Sequence, residues 1–233
     1  MTEERKNYEH LKRIALDSGF NLFGVADVSN IRSEFNLDKT TITKFHRGIS
    51  LGKKLLDAIM DEIKDKPTSL YFHHYRQLNF FLDRGAFLIA SEIQALGFKS
   101  LPIPASQIID WKKQQSHVSH KKIGCLAGLG WIGRSNLLVN QDIGSRFRMV
   151  TVLTDMPLSV ADPNEGNCGQ CRQCIPVCPA HAIDVDPQNF DHWACFEKLK
   201  EFRNSGIVGQ YICGVCIQAC PGIKRARGIP PKS

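Results

Sequence analysis

The chain has 233 residues, 42% of them hydrophobic and 23% charged, with 30 basic and 23 acidic side chains giving a net charge of +7. That size and balance fit one or two globular domains and exclude a disordered, collagen-like or coiled-coil chain. No apolar run approaches the roughly 18 residues of a membrane span, and the polar opening Met1–His10 has no signal-peptide core, so a cytoplasmic protein without a membrane partner is expected. In chain order, residues 7–18 carry Tyr8, Leu11, Ile14 and Ala15 at helical spacing with Gly19 as the stop, and 21–26 reads as a short buried strand. Leu51, Leu55, Leu56, Ile59 and Ile63 predict a helix over 50–65. Leu78, Phe81, Leu82, Phe87, Ile89, Ile93 and Leu96 predict a longer one over about 68–96, closed by Gly97. A strand at 99–103, a helix near 117–127, and strands at 136–140 and 147–154 follow. This alternation predicts an α/β (α+β) body over 1–160. After Pro157, Pro163 and Gly166 the character changes, and 161–233 forms a cysteine-rich second domain.

All but one of the nine cysteines lie in that second part. Without export, clustered thiols point to metal or redox chemistry, not disulfides. The run Cys168-Gly-Gln-Cys171-Arg-Gln-Cys174-Ile-Pro-Val-Cys178-Pro179 has the C-x2-C-x2-C-x3-C-P spacing of bacterial iron–sulfur segments. Two-residue gaps let three thiolates of one tight loop converge on one cubane, while the fourth points to a second. Cys213-Gly-Val-Cys216-Ile-Gln-Ala-Cys220-Pro221 repeats the last three positions, and Cys195 is free to replace the missing first. Crossing over, one [4Fe–4S] cluster takes Cys168, Cys171, Cys174 and Cys220. The other takes Cys178, Cys195, Cys213 and Cys216, and Cys125 stays outside. Structural zinc favours paired knuckles around a longer spacer. Two such clusters would bring the net charge to roughly +3, which weakens the basic signal for an anionic partner. Ile175, Val177, Ile183, Ile212, Val215 and Ile217 are available as apolar cover.

Gly128-Leu-Gly130-Trp131-Ile-Gly133 satisfies G-x-G-x-x-G. A dinucleotide site would need a strand before it and an acid about 20 residues on. Residues 117–127 read as a helix, Asp142 comes too early and Asp155 too late. The remaining readings are a turn that packs backbone tightly and a close approach to a large flat cofactor.

The stretch Ala127-Gly-Leu-Gly-Trp-Ile-Gly-Arg-Ser-Asn-Leu-Leu138, followed by Gly144-Ser-Arg-Phe-Arg148 and Val152-Leu-Thr-Asp-Met-Pro-Leu158 before a double cluster region, resembles the epoxyqueuosine reductase family. The lone Cys195 between the two cysteine runs belongs to the same pattern, and the likeness covers about 105–222 and, more loosely, 19–26. The resemblance implies a cobalamin-reductase-like α/β domain followed by a bacterial two-[4Fe–4S] ferredoxin-like domain. It further implies a base-off cobalamin near Gly128, Gly130, Trp131, Gly133, Asn136, Gly144, Ser145 and Arg146, reduced by the clusters. Family members act on epoxyqueuosine in tRNA, and the related reductive dehalogenases use the same cofactors.

Two departures turn the expectation away from tRNA. Where the family carries an acid in an Asp-Ser-Ala-Pro-type segment, this chain reads Gln114-Gln-Ser-His117-Val-Ser119-His120, with no carboxylate. The chain also ends 13 residues after Cys220, so it reads as a short form lacking the helical-repeat domain. His117 and His120, placed on one helix face, are the candidate proton donors, with Ser119 a helix cap. The expected enzyme takes electrons from a flavodoxin or ferredoxin and reduces a small-molecule or nucleoside-type substrate. The alternative is an electron-transfer protein or corrinoid reductase with no substrate of its own. The basic tail Lys224–Lys232 reads as a solvated terminus.

Overall fold

Thr2 sets the start of helix α1 (Glu3–Asp17): its hydroxyl accepts the Arg5 N–H, and Glu3 and Glu4 sit in the first turn where the helix dipole favours negative charge. Leu11 and Ala15, four apart, are its buried positions. Gly19, at φ +92°, ends the helix. The computed structural model describes residues 1–222, so the basic tail lies outside the described residues. Strand β1 (Leu22–Asp27) follows, then the short helix α2 (Lys39–Ile42), β2 (Arg47–Lys54), α3 (Asp57–Asp61) and the long α4 (Ser69–Ala95). The remainder comprises β3 (Ser100–Ile103), α5 (His120–Leu126), β4 (Trp131–Ile132), β5 (Leu138–Val139), β6 (Phe147–Thr154), α6 (Cys174–Val177), α7 (His192–Asn204) and α8 (Val215–Gln218).

The predicted helix over 50–65 is a strand and then a single helical turn. Ile49, Ser50 and Leu51 are fully buried between Gly48 and Gly52 in β2. A side chain on either glycine would press on Val28 or Leu22. The apolar spacing that suggested a helix is therefore shared by two elements, with only Asp57–Asp61 helical. The strand expected at 136–140 is likewise shortened to the two residues of β5.

The chain divides into two compact units, each assembled from three segments. The first contains 1–53, 79–129 and 148–164. Its four-stranded sheet has the order β1-β2-β6-β3. Leu22 faces Gly52 and Asp27 faces Arg47 in one antiparallel pair, and Ser100 faces Thr154 in another. Bonds from His46 N–H to Thr154 O and from Leu55 N–H to Arg146 O, at opposite ends of β2 and β6, make that pair antiparallel too. Alternating helices and strands thus give α+β: β1 pairs directly with β2, which a parallel crossover does not require. Helices α1 and α5 lie against β1, and Leu11, Val25, Ile49, Leu82, Ile93 and Ile123 fill the core.

The second unit contains 54–78, 130–147 and 165 onward. The β4–β5 hairpin pairs Trp131 with Val139 and Ile132 with Leu138. Leu55, Met60, Ile63 and Tyr71 are buried, and Gly214, at φ +87°, lets α8 start where a Cβ would meet Ile63 and Tyr71. The boundary expected near 160 lies close to the last crossing, Asn164–Glu165, but two earlier segments also belong to this unit. Past residue 165 the described residues form short helices and loops with no strand, so the ferredoxin likeness there is one of cysteine pattern.

Candidate metal centres

None of the nine cysteines is in a disulfide. The first loop is tightened by Cys171 N–H donating to Cys168 O at 3.0 Å, with Gly169 at φ +51° between them. The next turn, α6, begins at Cys174. Burial pushes the Cys174 thiol up to about 11, and Cys220, Cys168 and Cys171 around it add to the rise. Burial pushes Cys213 up to about 12, with Cys195 and Cys178 adding to it. Cys216 is raised chiefly by burial, then by Cys213, Cys195 and Cys178. The fold therefore gathers the thiols in the same two groups of four that the spacing pairs. Cys216 also feels Cys174, so the groups adjoin.

These thiols resist losing a proton only while uncoordinated; bound to metal, they would be thiolates. Among the described residues no three His, Cys, Asp or Glu side chains converge on a single-ion point. Zinc needs such a point, whereas a cubane spreads its four thiolates around a larger body. A cavity of about 550 Å³ opens beside the first group, lined by Trp131, Val139, Cys168, Cys171 and Cys220. Cys178, Ala182 and Ile183 form a buried apolar cluster on which Ile175, Phe190, Cys195 and Cys216 pack. Of the expected cover, Val177 is exposed and Ile212 and Val215 are buried. The donor set and the apolar surround fit iron–sulfur ligation, and the first group has open space beside it.

Two buried arginines tie the cysteine segments down. Arg134, which sequence reasoning passed over, donates from Nε to Val185 O at 2.7 Å, from Nη1 to Cys171 O at 2.8 Å and from Nη2 to Gly169 O at 2.9 Å. Its place directly after Gly133 was the only available signal. Arg146, expected at a corrin, instead donates to Gln218 O and to Asp57 at 3.3 Å. Ser145 turns its hydroxyl and N–H toward the Cys220 sulfur, and with the Gly222 N–H they oppose the rise that burial imposes on that thiol.

The other corrin-site candidates also meet protein. A Cβ on Gly130 would collide with the Val139 carbonyl, and one on Gly144 with the Cys220 carbonyl. On Gly133 it would come within 2.6 Å of Val139 Cγ2 and 3.2 Å of Cys168 Sγ. Gly128, at φ +75°, packs on Ala161 and Asp162 within the first unit. Gly130 and Gly144 bring backbone against backbone, while Gly133 makes room for side chains. Asn136 occupies the left-handed region at φ +55° in the β4–β5 turn, and Trp131 is buried.

In the first unit, His117 and His120 do not share a helix face. Ser119 caps α5, accepting the Lys122 N–H, so His117 lies ahead of the helix. Its Nδ1–H donates to Asn36 O at 3.1 Å. His120 Nε2–H donates to Pro104 O at 3.0 Å, and Nδ1 accepts from the Thr151 hydroxyl at 2.8 Å. Burial drops its pKa to about 4, leaving a neutral ring with both nitrogens engaged. Cys125 is half-buried, its thiol directed at Asn164 O.

No family model matches the chain. Among curated proteins, epoxyqueuosine reductase of Yersinia pestis is 35% identical over 115 residues, 45% of this chain and 27% of that protein. The Aliivibrio fischeri enzyme is 30% identical, over 59% of this chain and 36% of its own length. The Cyclobacterium marinum enzyme aligns over 95% of this chain and 80% of its own at 24% identity. The match thus spans about a third of the first relatives' length. Among solved structures, a reductive dehalogenase described with a mechanism for B12-dependent dehalogenation covers 94% of this chain and 32% of its own at a TM-score of 0.76 and 19% identity. Epoxyqueuosine reductase from Streptococcus thermophilus covers 97% and 67% at 0.62 and 17%. An epoxyqueuosine reductase bound to an epoxyqueuosine-modified tRNA stem loop covers 93% and 65% at 0.62 and 17%. No helix among the described residues is long and apolar enough to cross a membrane. In sequence the chain resembles the epoxyqueuosine reductases, and its fold is one shared by those enzymes and the reductive dehalogenases.

Proposed function

We propose that the chain is an iron–sulfur oxidoreductase of the epoxyqueuosine reductase kind, carrying two [4Fe–4S] clusters and working with cobalamin. The observation that carries this reading is the gathering of eight thiols into two adjoining groups of four. Adjoining centres suit single-electron hops, and the surrounding apolar shell suits low potentials. A flavodoxin or ferredoxin would load the Cys178, Cys195, Cys213 and Cys216 cluster, which passes electrons to that of Cys168, Cys171, Cys174 and Cys220. Cobalamin, when bound, supplies a strongly nucleophilic reduced cobalt. The substrate would be a small or nucleoside-type molecule, with tRNA the less favoured case. His117 suits a proton donor better than His120, whose two nitrogens are both engaged.

The residues expected at the corrin are engaged by protein instead. Gly130 and Gly144 meet backbone, Gly133 meets side chains, Arg146 is held by Gln218 and Asp57, and the 550 Å³ cavity belongs to the thiols. Support for cobalamin comes from likeness alone, to the epoxyqueuosine reductases in sequence and to a B12-dependent dehalogenase in fold. This observation favours a second reading, an electron-transfer protein that reduces a partner and has no substrate of its own. One experiment separates the two. The protein is reconstituted anaerobically with iron and sulfide, mixed with cobalamin, freed of unbound cofactor and assayed for iron, cobalt and the Co(II) EPR spectrum. Near-stoichiometric cobalt with a base-off spectrum supports the reductase; full iron without cobalt overturns it in favour of the second reading.

A further inference from the structure

Trp131 is 4% exposed, and its indole N–H is fully buried without a hydrogen-bond partner among the described residues. A buried indole N–H nearly always finds an acceptor, because its hydration has been given up. Trp131 lines the cavity that Cys168, Cys171 and Cys220 also line. Strand β4 fixes it there through its pairing with Val139, another lining residue. The neighbouring backbone offers the ring no carbonyl, so the acceptor the site implies lies inside the cavity. Ser145, 2% exposed, turns its hydroxyl toward the Cys220 sulfur from a second side. Trp131 and Ser145 both belong to the second unit and both face thiols of the first group.

We infer that the Trp131 indole N–H and the Ser145 hydroxyl donate hydrogen bonds to sulfurs of the cluster held by Cys168, Cys171, Cys174 and Cys220, and so raise its reduction potential. The inference rests on the two-cluster reading above. Reduction adds negative charge to the cluster, and a donor aimed at sulfur stabilises the reduced form more than the oxidised one. Raising one centre of an adjoining pair biases electron flow towards it, from the Cys178 group to the Cys168 group. Trp131 and Ser145 are thus positioning and tuning residues; neither is a ligand.

The test uses cobalt-free, reconstituted protein, so that any effect belongs to the clusters. Trp131→Phe and Ser145→Ala are compared with wild type by iron content and by EPR-monitored redox titration. The expected result is unchanged iron and a midpoint potential shifted negative for one cluster only, in both variants. Iron-replete Trp131→Phe with both potentials unchanged overturns the inference and leaves the two-cluster reading standing. Wild-type protein that takes up no iron overturns both. If Trp131→Phe loses iron, wild-type protein carrying indole-¹⁵N tryptophan decides by pulsed EPR. A ¹⁵N coupling to the reduced cluster supports the hydrogen bond, and its absence overturns it.

Discussion

Replacing Arg134 by methionine removes three hydrogen bonds of 2.7–2.9 Å from one buried guanidinium while keeping much of the apolar stem. Bonds from a charged donor contribute about 1.5–3 kcal/mol each. Gly169 and Val185 are exposed and Cys171 half-exposed, so water can reach all three carbonyls once the arginine is gone. The net loss is accordingly that of three partly replaced bonds, about 2 kcal/mol in total. With a urea slope of about 2–3 kcal/mol per molar, the unfolding midpoint should drop by about 1 M. Arg134→Lys keeps the charge but can satisfy only one carbonyl well, and should recover about a third of that drop. The assay is anaerobic urea titration of reconstituted protein, followed by cluster absorbance and helical signal together. A midpoint shift under about 0.3 M for the methionine variant, against that slope, would refute the clamp.

Gly144→Ala places a methyl against the Cys220 carbonyl at a backbone angle of φ +64°. It should strip the Cys220-bound cluster and leave roughly half the iron, read by iron assay and visible spectrum. Cys220→Ser should likewise lose iron, whereas Cys125→Ser, outside both thiol groups, should keep the wild-type content; equal loss in both would sink the ligand assignment. His120 has a folded pKa of about 4, below the 6.5 of a free imidazole. The unfolded chain therefore takes up the proton first as pH falls. The stability this site contributes is intact above pH 6.5 and declines between there and 4. His120→Gln should flatten that acid limb in denaturation midpoints measured from pH 7 to 4.5, and identical slopes in the two proteins would contradict the assignment.

The cysteine groups are legible in the sequence because their information is local. Two-residue gaps within a loop and a proline after the last thiol fix what the backbone can do there. The cap of α5 is legible for the same reason, in Ser119, whereas α1 starts four residues ahead of the predicted helix at 7–18. What escapes is non-local. Gly130 and Gly144 look like cofactor glycines until Val139 and the Cys220 carbonyl are seen in the space a side chain would need. Arg146 looks like a ligand contact until Gln218, far along the chain, is found to accept from it. β2 reads as a helix because Leu51 and Leu55 fall at helical spacing by chance, while the sheet neighbours that make it a strand come from distant segments.

The route of the chain has a consequence for synthesis and for engineering. It passes between the two units five times, at 53/54, 78/79, 129/130, 147/148 and 164/165. As the polypeptide leaves the ribosome, the sheet unit can be complete once residue 164 has emerged. Segments 54–78 and 130–147, which bond to each other through Leu55 and Arg146, must then wait for the last stretch to arrive. No single cut frees the cysteine-bearing unit: cleavage at 164/165 would strand those two segments on the wrong fragment. Recombination that exchanged the cysteine-bearing end alone would meet the same obstacle, which ties the metal-binding half to the gene that encodes the rest.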